Sequence, residues 1–383
     1  MTGFFYRQPV PIDFGFGKRQ QLTEILKQMH LKRGLLISAP SMVRSGIAQE
    51  LVEQSEGRLV AIFSDVQPNP TVASTDACAG ALRGNHCSFA VALGGGSIMD
   101  CAKVACFTAQ MPYSSADYLS KKRSITKPGI PLIAMPTTSG TASEVTNASV
   151  LTDTERNIKS LIASNFIYPV YALVDPQLTL TCPPQVTAAS GLDVIAHSLE
   201  AYYGKKHQPI TDLAAERAAT LAFQFLLKAY HDPGNKEARE GMSEASVTAG
   251  LAFGNTQTAA AHACSYPLTQ DYGIPHGEAC ALTLPSFWRI NSEQGPEAER
   301  LNAFSRRLGF KHALDLADRI DFMKQEMGMR TSLEEVGVKS DADLEKLVAN
   351  SFAPNMKNNP VEMTENSLKA MYQTLKKDPQ YKA

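Results

Sequence analysis

Four side chains carry the sharpest chemistry in this chain. In Gly191-Leu192-Asp193-Val194-Ile195-Ala196-His197-Ser198 a carboxylate and an imidazole stand four residues apart, so on a helix both project from one face. His262 sits in Ala259-Ala260-Ala261-His262-Ala263-Cys264, at the end of another Ala-rich helical stretch, and His276 follows in Gly273-Ile274-Pro275-His276-Gly277-Glu278. Asp and His are both ligands that first-row transition metals accept. Their neighbours here are mostly small or apolar, surroundings in which few other reasons exist for three imidazoles. Taken singly, each histidine is more commonly a satisfied core or surface residue. Taken together, Asp193, His197, His262 and His276 form a candidate metal centre. The other histidines, His30, His86, His207, His231 and His312, lie mostly among charged or polar neighbours and are expected at the surface.

A second constellation suits an anion. Gly94-Gly95-Gly96-Ser97-Ile98-Met99-Asp100 follows the apolar run ending at Leu93 and leads into the helix-like Cys101-Ala102-Lys103-Val104. Three glycines permit a tight strand-to-helix turn and a close approach of backbone N–H groups to a pyrophosphate at the helix N-terminus. Ser97 with Asp100 three residues later has the spacing of a capping box. Met99 stands where the third glycine of the dinucleotide fingerprint would be, so a plain turn and cap explains the same residues. Pro136-Thr137-Thr138-Ser139-Gly140-Thr141-Ala142-Ser143-Glu144 follows another apolar run, at the kind of strand end where open α/β sheets bind ligands. It reads alternatively as a polar loop, but the pair of segments favours a nucleotide crevice.

Positioning these groups requires two kinds of scaffold. Leu35 to Ser38, Leu59 to Phe63, Phe89 to Leu93, Leu132 to Met135 and Val170 to Val174 are apolar without alternation and are joined by helix-length connections. That pattern describes a parallel sheet covered on both faces, with helices at Val43 to Val52 and Ile98 to Phe107. Ala148 to Leu151 and Lys159 to Ile162 flank the polar Asp153-Thr154-Glu155-Arg156-Asn157 and read as a hairpin. After Pro183-Pro184 come long Ala- and Leu-rich amphipathic segments: Val186 to Tyr203, Ile210 to Tyr230, Lys236 to Ala263, Ala298 to Leu308, Ala313 to Met327 and Ser367 to Leu375. The expected architecture is an α/β nucleotide-binding domain over residues 1–182 and an all-α metal and substrate domain over residues 183–383.

With 383 residues, 37 Lys+Arg against 38 Asp+Glu and a net charge of -1, the composition is that of an ordinary globular protein. It offers no general attraction for nucleic acid or a membrane surface. No run of about 18 apolar residues spans a bilayer, and Met1 to Pro9 lack a signal-peptide pattern; a cytoplasmic location is expected. The seven cysteines include no Cys-x-x-Cys pair and are odd in number, which suits buried or incidental thiols in a reducing compartment.

The ordered motifs identify a resemblance. Phe14-Gly15-Phe16-Gly17, Pro68-Asn69-Pro70, Gly94-Gly95-Gly96-Ser97 with Asp100 and Lys103, Pro136 to Glu144, Lys159, Asp175-Pro176, Gly191-Leu192-Asp193 with His197, and Pro275-His276-Gly277 resemble the iron-containing (group III) alcohol dehydrogenases. That family shares its fold with dehydroquinate synthase: a Rossmann-like α/β N-terminal domain and an all-α C-terminal metal-binding domain. The resemblance covers nearly the whole chain. It implies Fe2+, or Zn2+, on Asp193, His197, His262 and His276. It also implies a dinucleotide held by Gly94, Gly95, Gly96, Ser97 and Asp100 and lined by Thr137, Thr138, Ser143 and Lys159. Homodimers are common in the family, with the active site between the halves of each chain.

Two departures refine the reading. Ala39 stands where an acidic residue often binds the adenosine ribose, so NADP(H) stays open, while the resemblance favours NAD(H). Tyr266 stands where many members carry a further histidine near the substrate, and with His262 it is a candidate catalytic residue. The stretch from His262 to Thr269 and from Gly273 to Cys280, with Asn355-Met356-Lys357-Asn358-Asn359-Pro360-Val361-Glu362, looks most like the sulfoacetaldehyde and phosphonoacetaldehyde reductases. It implies reduction of a small anionic aldehyde, to isethionate or 2-hydroxyethylphosphonate, with Lys357 and Asn358 as candidate donors to the anion. The alternatives are a general primary-alcohol or lactaldehyde-type dehydrogenase, and a catalytically silent binding protein of the same fold.

Overall fold

The apolar runs Leu35 to Ser38, Phe89 to Leu93 and Leu132 to Met135 become strands buried on both faces, with no polar side to alternate, while Leu59 to Phe63 lies partly exposed at an edge. The computed structural model describes residues 3–156 and 158–376. Its strands are β1 (Ile12–Phe14), β2 (Gly34–Ser38), β3 (Leu59–Phe63), β4 (Phe89–Gly94), β5 (Leu132–Pro136), β6 (Ala148–Asp153), β7 (Ile158–Ala163) and β8 (Tyr171–Val174). Six of them form one parallel sheet in the order β1-β8-β5-β4-β2-β3, and β6 and β7 pair as an antiparallel hairpin. Successive residues serve opposite faces. Leu35, Ala90 and Leu132 enter one apolar core, while Leu36, Val91 and Ile133 enter the other.

β3 lies on one side of β2 and β4 on the other, so the chain reverses across the sheet between β2 and β4. Ser38 pairs with Leu93 and Gly94 with Pro136, which sets the carboxyl ends of β2, β4 and β5 side by side. Open α/β sheets bind ligands at such a reversal. The helices of this unit are α1 (Leu22–Gln28), α2 (Pro40–Arg44), α3 (Ile47–Gln54), α4 (Val72–Gly84), α5 (Gly96–Thr108) and α6 (Ser115–Leu119). The single helix expected over Val43 to Val52 is two, α2 and α3, parted at Ser45-Gly46. At the hairpin turn Asp153 Oδ1 accepts from the Glu155 and Arg156 amides, both at 3.1 Å; Asn157 lies outside the described residues, as do Met1 and Thr2.

The chain divides into two units, one covering Gln8–Thr181 and the other Cys182 onward together with the N-terminal residues up to Arg7. The helical unit contains α7 (Pro184–Tyr203), α8 (Pro209–His231), α9 (Lys236–Thr256), α10 (Ala260–Tyr272), α11 (His276–Gln294), α12 (Ala298–Arg307), α13 (Ala313–Glu326), α14 (Leu333–Val336), α15 (Asp341–Asn350) and α16 (Glu365–Thr374). The parallel-sheet α/β half and the helical half are thus the architecture the sequence implies. Pro184 is the first residue of α7, where its missing N–H has no intrahelical partner to lose. No helix among the described residues is long and apolar enough to cross a membrane.

Two expectations change here. The stretch Lys236 to Ala263 is not one helix: Gln257 takes a left-handed φ of 65° and ends α9, and α10 starts anew at Ala260. His262 therefore stands in the first turn of a helix, not at the end of one. His207 is half-buried in a network with Asp212, Glu297 and Arg300 and is not a free surface residue.

Candidate metal and dinucleotide sites

In the α/β unit, α5 starts directly after β4 with no side chain capping its first turn. The capping box expected of Ser97 and Asp100 is not formed. Asp100 instead accepts from Ser143 Oγ at 2.7 Å and from the Val150 amide at 2.8 Å. Ser97 Oγ accepts from the Asn69 amide at 3.3 Å, and Lys159 Nζ donates to Asn69 Oδ1 at 2.9 Å. Lys159, Asn69 and Ser97 thus form a chain beside the glycine turn.

A Cβ on Gly96 would lie 2.8 Å from Thr141 Cγ2, and one on Gly95 3.0 Å from Thr138 Oγ1. Glycine lets the loop after β5 close on the turn, and the Thr137 amide donates to Gly94 O at 3.1 Å. Gly94, Gly95, Gly96, Ser97, Thr137, Thr138 and Lys159 are brought together around a helix start that favours an anion. Asp100 and Ser143 are turned inward. They join Lys103, whose Nζ donates to Ser143 Oγ at 2.7 Å, Thr146 Oγ1 at 3.2 Å and Ala148 O at 2.8 Å. Burial brings the Lys103 ammonium down to about 8 and pushes the neighbouring Glu144 carboxyl up to about 7. Asp100 and Ser143 hold the hairpin and loop in place behind the turn, a different task from touching a dinucleotide. At the end of β2, Ala39 puts no carboxylate beside the turn; its amide donates to Leu93 O at 2.8 Å.

In the helical unit, Asp193 and His197 lie one turn apart on α7, His262 in the first turn of α10 and His276 at the first position of α11. His262 Nε2 stands 3.4 Å from Asp193 Oδ1, and His197 Nδ1 3.9 Å from Asp193 Oδ2. The tightest group of potential ligand atoms, all within 4.8 Å of one another, comprises Asp193, His262, His276 and Cys280. His197 stands beside it, its ring stacked between Phe253 at 4.0 Å and His262 at 4.6 Å.

The chemistry of these donors asks for a cation. Asp193 Oδ1, His197 Nδ1 and His262 Nε2 are buried without a hydrogen-bond partner, a state costing about 1–3 kcal/mol per group. Burial works against the Asp193 charge, yet His197, His262 and His276 hold its carboxyl well below the usual range. Burial first, and the neighbouring imidazoles with it, brings His197 down to about 4, the unprotonated form a metal ligand needs. The donor set suits a divalent first-row ion.

Glu200 positions the cluster and was not singled out from the sequence. Seven residues after Asp193 on the same helix, it is fully buried. It accepts from the amides of Ala259 at 2.9 Å, Ala261 at 2.7 Å and His262 at 3.2 Å, and from His262 Nδ1. One carboxylate thus supplies the acceptor for the open amides of α10 and fixes the His262 tautomer that leaves Nε2 a lone pair. The signal was available: an acid two turns beyond Asp193 shares its face of an otherwise apolar helix.

α11 is held close to this cluster by its second residue. A Cβ on Gly277 would lie 2.0 Å from Ala189 O and 2.8 Å from Asp193 Cβ, so α11 meets α7 backbone to backbone. Tyr266, on α10, stacks parallel to the His276 ring with centroids 6.3 Å apart. Burial raises its hydroxyl pKa, with Asn355 among the groups that pull it the other way.

The asparagine expected to bind a substrate anion has another task. Asn358 is buried, donates to Thr256 O at 3.0 Å and Thr258 O at 3.1 Å, and accepts from the Lys206 amide at 3.2 Å. It clamps the break between α9 and α10, and an amide so committed has no N–H left to donate to an anion. Lys357 is exposed, and its carbonyl accepts from Lys205 Nζ at 3.2 Å.

Comparison with known proteins decides the family. Residues 9–176 match the iron-containing alcohol dehydrogenase family, and residues 187–376 match the C-terminal region of the Fe-containing alcohol dehydrogenase family. Alcohol dehydrogenase 4 of Schizosaccharomyces pombe is 32% identical over 366 residues, 94% of this chain and 86% of that protein. The chain belongs to the iron-containing alcohol dehydrogenase family. Like its relatives it is an oxidoreductase of the alcohol dehydrogenase and aldehyde reductase type. The 1,3-propanediol dehydrogenase of Citrobacter freundii is 32% identical, spanning 94% of this chain and 97% of its own. Among solved structures of the family, the sulfoacetaldehyde reductase of Bifidobacterium kashiwanohense in complex with NAD+ has a TM-score of 0.95 and 44% identity, with 98% of this chain and 99% of that one covered.

Proposed function

We propose that this family member reduces a small anionic aldehyde, sulfoacetaldehyde or phosphonoacetaldehyde, to the corresponding alcohol with NAD(P)H, NADH being favoured. The observation that carries the substrate reading is the 44% identity to the sulfoacetaldehyde reductase over nearly the full length of both chains. Asp193, His262 and His276, with His197 beside them, would hold the divalent ion. Gly94, Gly95, Gly96 and Ser97 at the start of α5 would receive the pyrophosphate, with Thr137, Thr138 and Lys159 alongside. When bound, the ion supplies a Lewis acid for the carbonyl oxygen and the dinucleotide supplies the hydride.

The chain's own residues do the rest. Glu200 keeps His262 in one tautomer, and the packing of Phe253 keeps the His197 ring in one plane. Tyr266, its pKa raised by burial, keeps its proton at neutral pH and can donate from Oη to the product oxygen. Lys357 remains the candidate cation for the substrate anion, carried on the same short segment as Asn355, which influences the Tyr266 hydroxyl.

The likeness to the 1,3-propanediol dehydrogenase supports a second reading, an enzyme for uncharged diols or alcohols. The two separate in one assay: turnover by the Fe2+-loaded protein with sulfoacetaldehyde, phosphonoacetaldehyde, 3-hydroxypropanal and butyraldehyde. The anionic substrates are expected to have kcat/KM at least tenfold higher, and Lys357→Ala to raise KM for them alone. Equal or better turnover of the uncharged aldehydes would overturn the anionic assignment.

A further inference from the structure

Lys205 and Lys206 follow directly on α7, whose face carries Asp193, His197 and Glu200 at helical spacing and closes at Gly204. About 10 Å of helix separates Gly204 from His197. Both lysines are exposed, as is Lys357. Among the described residues no carboxylate pairs with any of the three. Lys205 Nζ donates to Lys357 O at 3.2 Å and Lys206 Nζ to Gln257 Oε1 at 2.6 Å, so neutral oxygens hold the two side chains without cancelling their charge. Asp212 and Glu297, the acids around the adjoining His207, are taken by Arg300 at 2.8 and 2.9 Å.

The segments these lysines grip lead inward to the metal ligands. Gln257 is followed by Thr258, whose Oγ1 accepts from Asn355 Nδ2 at 3.1 Å, and then by the amides that Glu200 holds at Ala259 and His262. Asn355 and Asn358 stand three apart on the 3-10 turn Pro354–Asn358, a spacing that puts both on one side of it. Both amides are spent on the α9–α10 break, which pins the segment carrying Lys357 to it. Lys205, Lys206 and Lys357 are exposed, Thr258, Asn355 and Tyr266 half-buried and His262 buried.

We propose that Lys205 and Lys206 are specificity-determining residues which, with Lys357, form a basic rim that draws an aldehyde bearing a sulfonate or phosphonate towards the metal centre. The proposal rests on the anionic-aldehyde reading above. A two-carbon aldehyde is too short to touch Lys205 and the metal at once, so the rim acts through its field, raising the local concentration of an anion and leaving an uncharged aldehyde indifferent. The neutral net charge of the whole chain supplies no such attraction. A field of this kind is screened over about 10 Å in 0.1 M salt and about 30 Å in 0.01 M.

The test is the salt dependence of turnover by the Fe2+-loaded full-length enzyme at saturating NADH, with sulfoacetaldehyde, phosphonoacetaldehyde and butyraldehyde. Between about 10 mM and about 300 mM salt, kcat/KM for the two anions is expected to fall about tenfold, most for the more highly charged phosphonate, and to stay within about twofold for butyraldehyde. Lys205→Gln combined with Lys206→Gln should raise KM for the anions about tenfold at low salt, flatten their salt dependence and leave kcat within about twofold. Lys205→Arg combined with Lys206→Arg keeps the charge and should restore both KM and the slope. If the wild type prefers the anions but the glutamine variant keeps its KM and its slope, the rim is overturned and the anionic-aldehyde reading stands. An equal rise in KM for butyraldehyde would also overturn the rim, as the mark of a disturbed loop. No preference for the anions in the wild type would overturn both.

Discussion

Each unit of the molecule buries a charged cluster, and the two are built on opposite terms. In the α/β unit, Asp100, Lys103 and Ser143 satisfy one another and the backbone of the hairpin, with contacts between 2.7 and 3.2 Å. In the helical unit, Asp193 Oδ1, His197 Nδ1 and His262 Nε2 are buried without a hydrogen-bond partner. A closed cluster is complete as folded and serves the fold; an open one is stable only with something added. Proximity to a motif therefore does not make a residue a ligand. Asp100 and Ser143 flank the glycine turn and yet belong to the closed cluster.

The largest contrast should come from His262→Ala, which removes a member of the open cluster. It is expected to lower kcat/KM by about 1000-fold or more while leaving the chain folded. Wild-type turnover in that variant would mean the cluster is not the catalytic centre. Lys103→Met breaks the closed cluster and should act in the reverse sense. Removing one partner of a buried charged set should take about 3–5 kcal/mol from stability in denaturant titrations, with metal affinity kept. A loss of metal binding without a loss of stability would erase the distinction between the clusters.

Glu200→Gln tests the support of the open cluster. The neutral amide accepts more weakly from three backbone amides and from His262, so metal affinity should fall about 10–100-fold in a chelator competition. An unchanged affinity would reduce Glu200 to a helix cap. The smallest effect is a slope. Glu144 titrates near 7 in the folded chain, against 4.5 as its ordinary value. Between those pH values the folded state keeps a proton that the unfolded state has released, so this contribution, full below 4.5, is lost as pH rises towards 7. Glu144→Gln should remove a slope of at most about 1.4 kcal/mol per pH unit from the stability profile. The same slope in the variant would place its origin elsewhere.

The sequence discloses some of these features and hides others for physical reasons. Strands buried on both faces announce themselves as unbroken apolar runs, whereas β1, three residues long and on the sheet edge, carries no such signature. α11 went unanticipated because Pro285 interrupts its pattern, although the helix continues through it. The boundary between α9 and α10 is tertiary in origin. It is written by Glu200 and Asn358, from distant parts of the chain, in hydrogen bonds that no local propensity encodes. Asp193, His197, His262 and His276 were legible because ionisable residues in small, apolar surroundings need a reason to be there. Asn358 misled because an amide beside a lysine looks like a donor to solvent or substrate, and only burial reveals that its donors are spent on carbonyls.

The backbone contact at Gly277 has a consequence for which ions the protein can choose among. Two helices that touch at Ala189 O and Asp193 Cβ, with no side chain between them, form a calliper whose jaws rest on a hard stop. Ligands mounted on such jaws present one opening to every ion, so ionic radius becomes an entry condition and the choice among ions that pass falls to donor softness. A single methyl group at position 277 would reset the gauge.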